Sequence, residues 1–375
     1  MNAERRAVDL PSGALTVEVE RSDVPLDDLC GFAARDNAQR GFLFVSKVLG
    51  KHHPVPPSRM DPIHRRLAGA LDPEVHGPVL FVALAETAIG LGQSIYERFV
   101  EATGRSDTLF IHSTRYTTSS AVTLSFSEPH SHAPDHFLHR PVDPADLRML
   151  ETARSLVVID DEVSSGRTFV NLTQAAKSWS AGLDSVTFVT ITDWLGAERR
   201  RQVTRELELS ARFVSVLEGR YAFEAKRGPP TPPAPHFIES RSPGSQLENN
   251  HGRFGRRDLP ALPRTIDLSF IPSRPARILV LGTGEFLYLP FKLAQRLEVE
   301  GHDVTFQSTT RSPIVVAADI HTKIELRDNY DASIPNYLYN VARGQYEVVV
   351  VCYETPLLPP SRRFTEFLGG TALHF

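Results

Sequence analysis

Cysteine is almost missing from this chain. Cys30 and Cys352 are the only two, which supports neither a disulfide framework nor a Cys-rich metal site. Long apolar runs are missing as well: the longest, Val79–Ala85, falls far short of the ~20 residues that cross a bilayer. The opening residues MNAERRAVDLPSG hold no apolar core of a secretory signal. Nor is there an excess of charge. Lys and Arg number 41 against 45 Asp and Glu, a formal net charge of −4, which excludes a polybasic nucleic-acid binder while leaving room for a local basic patch. The expectation is a cytoplasmic protein with no nucleic-acid partner and no membrane. Apolar residues at 41% and charged residues at 23% are ordinary for a globular chain, and 375 residues suffice for two domains.

Proline, by contrast, is abundant, and its 28 residues are unevenly spread. Residues 229–243 read PPTPPAPHFIESRSP, with five prolines between Pro229 and Pro235. Such a segment lacks internal hydrogen bonds and cannot sit in a central strand. About 35 structureless residues inside one compact domain would be unusual. The expected division is therefore 1–226, a Pro-rich connector over 227–265, and a smaller domain over 266–375.

Both parts read as α/β. In the first, Gly41–Val45, Pro78–Leu84, Ser155–Ile159 and Ser185–Ile191 are apolar enough for buried strands, and Leu91–Val100 carries helical spacing. Phe169, Leu172, Ala176 and Trp179 recur at intervals of three or four, one face of a helix, with Gly182 as its stop. Strand, loop, helix, strand is a βαβ unit, so the sheet should be parallel and covered on both faces. In the second part, Arg277–Leu281, Val304–Phe306 and Glu347–Val351 are strands. A helix is expected from near Pro290, a residue suited to a first turn, to near Gly301.

The stretch LVVIDDEVSSGRT, Leu156–Thr168, carries the chemistry. An apolar strand ends in Asp160 and Asp161, and a loop of small residues, Ser164-Ser165-Gly166-Arg167-Thr168, opens a helix. Free N–H groups at a helix start point at an anion and the dipole favours negative charge. Serine and threonine hydroxyls add donors. Two carboxylates at the strand end can accept hydrogen bonds from vicinal hydroxyls, as on a ribose. A sugar carrying a phosphate at its far end would satisfy both halves.

These thirteen residues resemble the 5-phosphoribosyl-1-pyrophosphate (PRPP) motif of type I phosphoribosyltransferases. Glu162 departs from the pattern, standing where the family prefers an apolar residue; an extra acid there can alter metal binding or the accepted nucleophile. The resemblance implies further parts. Val79–Gly92 looks like the strand, turn and helix of the pyrophosphate loop, with Glu86, Thr87 and Ala88 at the turn. FLFVSKVLGKHHP resembles the orotate-type segment that places a lysine near PRPP, here Lys51 or else Lys47. Thr114–His139 corresponds to a loop that closes over substrate, and Arg115 can meet pyrophosphate oxygens bidentately. The histidines at 130, 132, 136 and 139 suit a loop handling phosphate or base, plain polar loop positions, or, with Glu128 or Asp135, a zinc site.

In the second part, Gly282-Thr283-Gly284-Glu285 and Ser308–Pro313 (STTRSP) each follow a strand, so both loops should emerge at the ligand-binding edge of a parallel sheet. Arg311 and Ser312 suit an anion or phosphosugar; two structural turns are the plainer alternative. Arg253, Arg256 and Arg257 (GRFGRR) can clamp a phosphate between domains or form a solvated basic turn. The pairing of a PRPP motif with Thr-Arg-Ser-Pro resembles the orotate-phosphoribosyltransferase-like proteins with a C-terminal TRSP domain, over Phe42–Phe223 and Arg277–Glu354. That family is associated with bacterial tellurium-resistance stress gene clusters, in a role inferred to be synthesis or salvage of a nucleoside-like compound.

The resemblance thus implies phosphoribosyl transfer between PRPP and an unidentified base or nucleotide. Mg²⁺ would be held by the substrate rather than by protein ligands, and homodimer assembly is left open. The competing readings are a PRPP-binding regulatory or partner subunit without catalysis, and a phosphorylase or hydrolase acting on a finished nucleotide.

Overall fold

The computed structural model describes residues 4–35, 40–116, 123–127, 135–226, 250–330, 334–355 and 363–375. Its architecture is mixed α/β, organised around two sheets. The larger runs in the order Glu4–Leu10, Gly13–Ser22, Ser210–Ala225, Ser185–Asp193, Ser155–Ile159, Val79–Ala83, Thr108–His112, with the short Glu162–Val163 beside Ser185–Asp193. The last five of that order are mutually parallel. The first two form a hairpin that joins Ser210–Ala225 antiparallel. The apolar runs of the sequence do not announce this edge: Gly13–Val19 alternates buried with less buried residues, as an edge with one wet face does.

The central strands Val79–Ala83 and Ser155–Ile159 are buried at every position, as expected for strands covered on both faces. Helix Ile89–Thr103 packs Leu91, Ile95 and Phe99 on one face, against Phe81 and Val157. Helix Arg167–Lys177 packs Phe169, Leu172 and Ala176 on the other, against Val158 and Phe188. The latter ends five residues before Gly182, and Trp179 continues its apolar face only in a turn, its N–H donating to the Ala176 carbonyl.

The smaller sheet is parallel throughout, ordered Asp303–Ser308, Arg277–Gly282, Val348–Tyr353, Thr371–His374. Helix Tyr288–Val299 carries Pro290 in its first turn. Hairpins Cys30–Ala34/Phe42–Ser46, Thr123–Ser127/Asp135–His139 and Lys323–Arg327/Pro335–Tyr339 complete the sheets.

The two halves share packing. Val55, Met60 and Ile89 of the first belong to one apolar cluster with Ile278, Phe291 and Phe306 of the second. Backbone bridges join Val55 to Phe306 and Arg35 to Ile314, and Lys292 Nζ meets Glu97 Oε1 at 2.9 Å. Of the expected connector, 227–249 lies outside the described residues, whereas Arg256 forms a backbone bridge with Phe110 of the larger sheet. Among the described residues no helix is long and apolar enough to cross a membrane.

Both sheets reverse strand order beside their first parallel strand. The reversal lies between Val79–Ala83 and Ser155–Ile159 in the larger sheet, and between Arg277–Gly282 and Val348–Tyr353 in the smaller. Open α/β sheets leave a ligand crevice at the carboxyl ends of such strands.

Candidate active site

In the larger sheet that crevice is a polar cavity. Asp160 and Asp161 enter it directly after the strand Ser155–Ile159. Their backbone is pinned from the neighbouring strand: Asp160 N donates to Val189 O at 3.0 Å, and Asp161 O accepts from Ile191 N at 3.0 Å. Asp161 N donates to Asp160 Oδ1 at 2.9 Å. The two carboxyls thus sit on one fixed strand end.

Ser164, Ser165, Gly166 and Thr168 line the adjoining wall. Gly166 adopts φ 71° and caps helix Arg167–Lys177, whose N-terminus has no side-chain cap. A helix start without such a cap leaves its first N–H groups available to an anion. A Cβ on Gly166 would stand 3.1 Å from Val203 Cγ2. Arg167 is exposed and does not line this cavity; it lines a neighbouring groove with Ser164, Ser165, Arg199 and Glu206.

The opposite wall follows the strand Val79–Ala83. Leu84, Ala85, Glu86 and Thr87 line it, and the Ala85–Glu86 peptide is cis. Ser113 Oγ accepts from Ala85 N at 2.8 Å. Ala88 lies just behind, buried as the N-cap of helix Ile89–Thr103. Arg115 lines the cavity too, its Nη2 3.4 Å from Ala85 O.

Lys51 does not reach the cavity surface. It is buried, with Nζ 3.5 Å from Glu86 Oε1 and 3.4 Å from Gly284 O. Burial pushes its pKa down against the pull of Glu86. The lysine supports the Glu86 turn from behind rather than lining the cavity. Lys47 pairs with Asp319 at 3.4 Å, and the neighbouring His52 lines the cavity instead, held neutral by burial.

The second half reaches the same cavity through Thr310, Arg311 and Ser312. Arg311 N donates to Glu86 Oε2 at 3.2 Å, and its guanidinium lies 4.3 Å above the Tyr116 ring. The other loop of the second half does not line the cavity. Thr283 Oγ1 donates to Cys352 O, and Gly284 N donates to Thr309 Oγ1, each at 2.9 Å, while Gly282 ends its strand. Glu285 is buried and accepts from Thr114 Oγ1 and from Arg115 N, each at 2.7 Å. Gly282–Glu285, expected from sequence to meet a ligand, thus form bonds within the chain.

Arg253 is no solvated turn. It is fully buried, with Nε 3.1 Å from Glu285 Oε2 and Nη1 and Nη2 at 2.7 and 2.6 Å from the Glu354 carboxylate. It therefore fills the smaller sheet's own crevice. Arg256 pairs with Asp258 and Arg257 with Asp146.

Sequence reasoning missed the hairpin wall. Arg35, Arg40, Leu43 and Phe44 line the cavity, and Arg40 Nη2 donates to Glu162 Oε1 at 2.6 Å. The departure at Glu162 is thus matched by a cation distant in sequence, a pairing no local spacing announces. His136 and His139 are buried: Ser113 Oγ meets His136 Nδ1 at 3.0 Å, and Thr123 Oγ1 meets His139 Nδ1 at 3.0 Å. His136 still edges the cavity. Glu128, His130 and His132, together with the side chain of Asp135, lie outside the described residues.

A profile described as "Phosphoribosyl transferase" matches residues 29–220, and one described as the TRSP domain C-terminal to that module matches 251–368. No curated protein matches the chain. Similar solved structures include the adenine phosphoribosyltransferase of Rhodothermus marinus, 13% identical with TM-score 0.33, covering 51% of this chain and 95% of that one. Another is the Trypanosoma brucei adenine enzyme with AMP, pyrophosphate and ribose-5-phosphate, 11% identical with TM-score 0.37, covering 56% and 86%. A third, from Thermoanaerobacter pseudethanolicus, is 18% identical with TM-score 0.33, covering 49% and 93%. Because the first profile spans just over half of its length, the chain belongs to the phosphoribosyl transferase family, as a phosphoribosyltransferase followed by a TRSP domain.

Proposed function

We propose that this protein transfers a phosphoribosyl group between PRPP and a nitrogen of a base-like acceptor, or runs the reverse. The observation that carries the reading is one cavity holding both the Asp160–Asp161 pair and the uncapped start of helix Arg167–Lys177. The 5-phosphate takes the N–H and hydroxyl groups of Ser164–Thr168. Asp160 and Asp161 accept the ribose hydroxyls and stabilise the positive charge that grows at C1 as the C1–oxygen bond to pyrophosphate breaks. Charge stabilised where it develops is what lowers the barrier. Arg115 and the backbone at Glu86–Thr87 receive the departing pyrophosphate, and the acceptor nitrogen forms the new bond to C1.

The donor set also fits magnesium shared with substrate. Among the described residues no cluster of three or more His, Cys, Asp or Glu is arranged to hold an ion alone, while Asp160 and Asp161 offer hard oxygen donors in the cavity. Mg²⁺ commonly keeps substrate and water ligands, and when bound it would neutralise pyrophosphate charge.

The orotate-type subdivision and the role in a tellurium-linked stress cluster rest on the Thr-Arg-Ser-Pro resemblance, and we carry both as part of this proposal, along with a domain break within 227–265. Binding of PRPP measured by calorimetry, followed by pyrophosphate release with a panel of nitrogenous bases, tests the reading. PRPP uptake without release for any base would favour the regulatory-subunit alternative.

A further inference from the structure

We infer that the TRSP half is no separate catalytic unit and that its Arg311 binds the pyrophosphate end of the substrate in the first half's cavity. The inference rests on the phosphoribosyl-transfer reading and deepens it.

The loop is held in place from behind. Thr310 N and Tyr337 O, and Tyr337 N and Thr310 O, bond at 2.9 and 2.7 Å. Tyr339 OH donates to Ser312 O at 2.7 Å, and Ser312 N donates to Thr310 Oγ1 at 3.2 Å. Arg311 therefore leaves a fixed backbone. Its N–H is tied to Glu86, in the turn after the strand Val79–Ala83, and its guanidinium lies over Tyr116, next to Arg115. Two arginines from different halves thus flank one turn.

Within that arrangement, Arg311 Nη2 is buried with no hydrogen-bond partner among the described residues. A buried guanidinium N–H without an acceptor is costly. An anionic oxygen of a ligand would complete it, and a planar fork suits phosphate groups in particular. Position decides which phosphate. The 5-phosphate has its own donors at Ser164–Thr168, at the carboxyl end of a different strand. Arg311 instead stands beside Glu86 and Arg115, where the leaving pyrophosphate belongs.

The second half, meanwhile, has closed its own crevice. Arg253 sits there fully buried between Glu285 and Glu354, and Tyr330 OH donates to Glu354 Oε1 at 2.6 Å. The Thr310–Ser312 loop of this half, by contrast, lines the cavity of the first half.

Calorimetry on the full chain, with magnesium present, separates the possibilities. PRPP, inorganic pyrophosphate and ribose 5-phosphate are titrated into wild type, Arg311→Lys and Arg311→Gln. Arg311→Gln is expected to weaken PRPP and pyrophosphate about tenfold or more, the scale of a lost charged hydrogen bond, with Arg311→Lys in between. Ribose 5-phosphate, lacking the pyrophosphate, should change by less than about twofold; this also reports that the variants keep a formed pocket. Unchanged PRPP affinity, or a parallel loss of ribose 5-phosphate, overturns the assignment while the transfer reading stands. If wild type takes up ribose 5-phosphate but no PRPP, both fall.

Discussion

The Glu285 carboxylate accepts the backbone N–H of Arg115 at 2.7 Å. One residue comes from a loop of the smaller sheet and the other from the cavity wall of the larger. The same carboxylate takes the Thr114 hydroxyl and the Arg253 guanidinium. Burial is the largest single influence and works against its charge, but Arg253, His112, the Thr114 hydroxyl and the Arg115 N–H together hold the carboxyl below its usual range. The segment bearing Arg115 is therefore positioned by the other half of the chain.

Glu285→Gln should lower kcat for pyrophosphate release about tenfold or more with little change in ribose 5-phosphate affinity. The altered group touches Arg115 and not the ribose phosphate cradle. Steady-state kinetics beside calorimetry checks this; a variant with wild-type kcat would show that Arg115 needs no such support.

Arg253→Met should destabilise the protein by about 3–5 kcal/mol, because it leaves Glu285 and Glu354 buried without their cation. Urea unfolding measures it. A loss below about 1 kcal/mol, the range of a solvated surface pair, would contradict the buried clamp.

Stability should fall as the pH drops below about 6.5. Burial depresses His64 to about 3, His112 to about 4 and His53 to about 4. Between the ordinary value of 6.5 and those values the unfolded chain binds protons that the folded chain does not, so acid favours unfolding. Glu354 adds a second phase. Burial, the largest single influence, would raise it, yet the charge and hydrogen bonds of Arg253, with His251 and the Tyr330 hydroxyl, together bring it to about 2. Its contribution is complete above the usual 4.5 and fades as pH falls toward 2. Urea midpoints at pH 7.5, 6, 4.5 and 3 should therefore decline stepwise, and Glu354→Gln should flatten only the segment below 4.5. A midpoint that is flat from 7.5 to 4.5 would contradict buried neutral histidines.

Gly166→Ala should weaken PRPP binding and cost about 1–2 kcal/mol of stability. The residue lies at φ 71°, a left-handed conformation that penalises a side chain, and the new Cβ would press on Val203 Cγ2. Calorimetry and urea unfolding check both effects.

The parallel core was legible in sequence because buried strands are written as continuous apolar runs. Ser155–Ile159 is such a run, and the acids and small residues after it mark the crevice by themselves. The antiparallel edge was not legible, since Gly13–Ser22 alternates with polar residues and pairs with Ser210–Ala225 across about 200 positions. The cavity's hairpin wall was hidden for the same reason: Arg40 and Glu162 announce nothing until the fold brings them to 2.6 Å. Lys51 and Gly282–Glu285 show the converse. Lysine and glycine patterns suggest ligands, whereas their contacts within the chain, Lys51 with Glu86 and Thr283 with Cys352, come only with the fold.

The most direct measurement is PRPP-dependent pyrophosphate release by wild type and by the double variant Asp160→Asn, Asp161→Asn, using an acceptor base found active with wild type. Both acids line the cavity at a pinned strand end, so the double variant should keep its urea midpoint while losing turnover by about 10²–10³-fold or more. Pyrophosphate release at the wild-type rate by a folded double variant would contradict the proposed site.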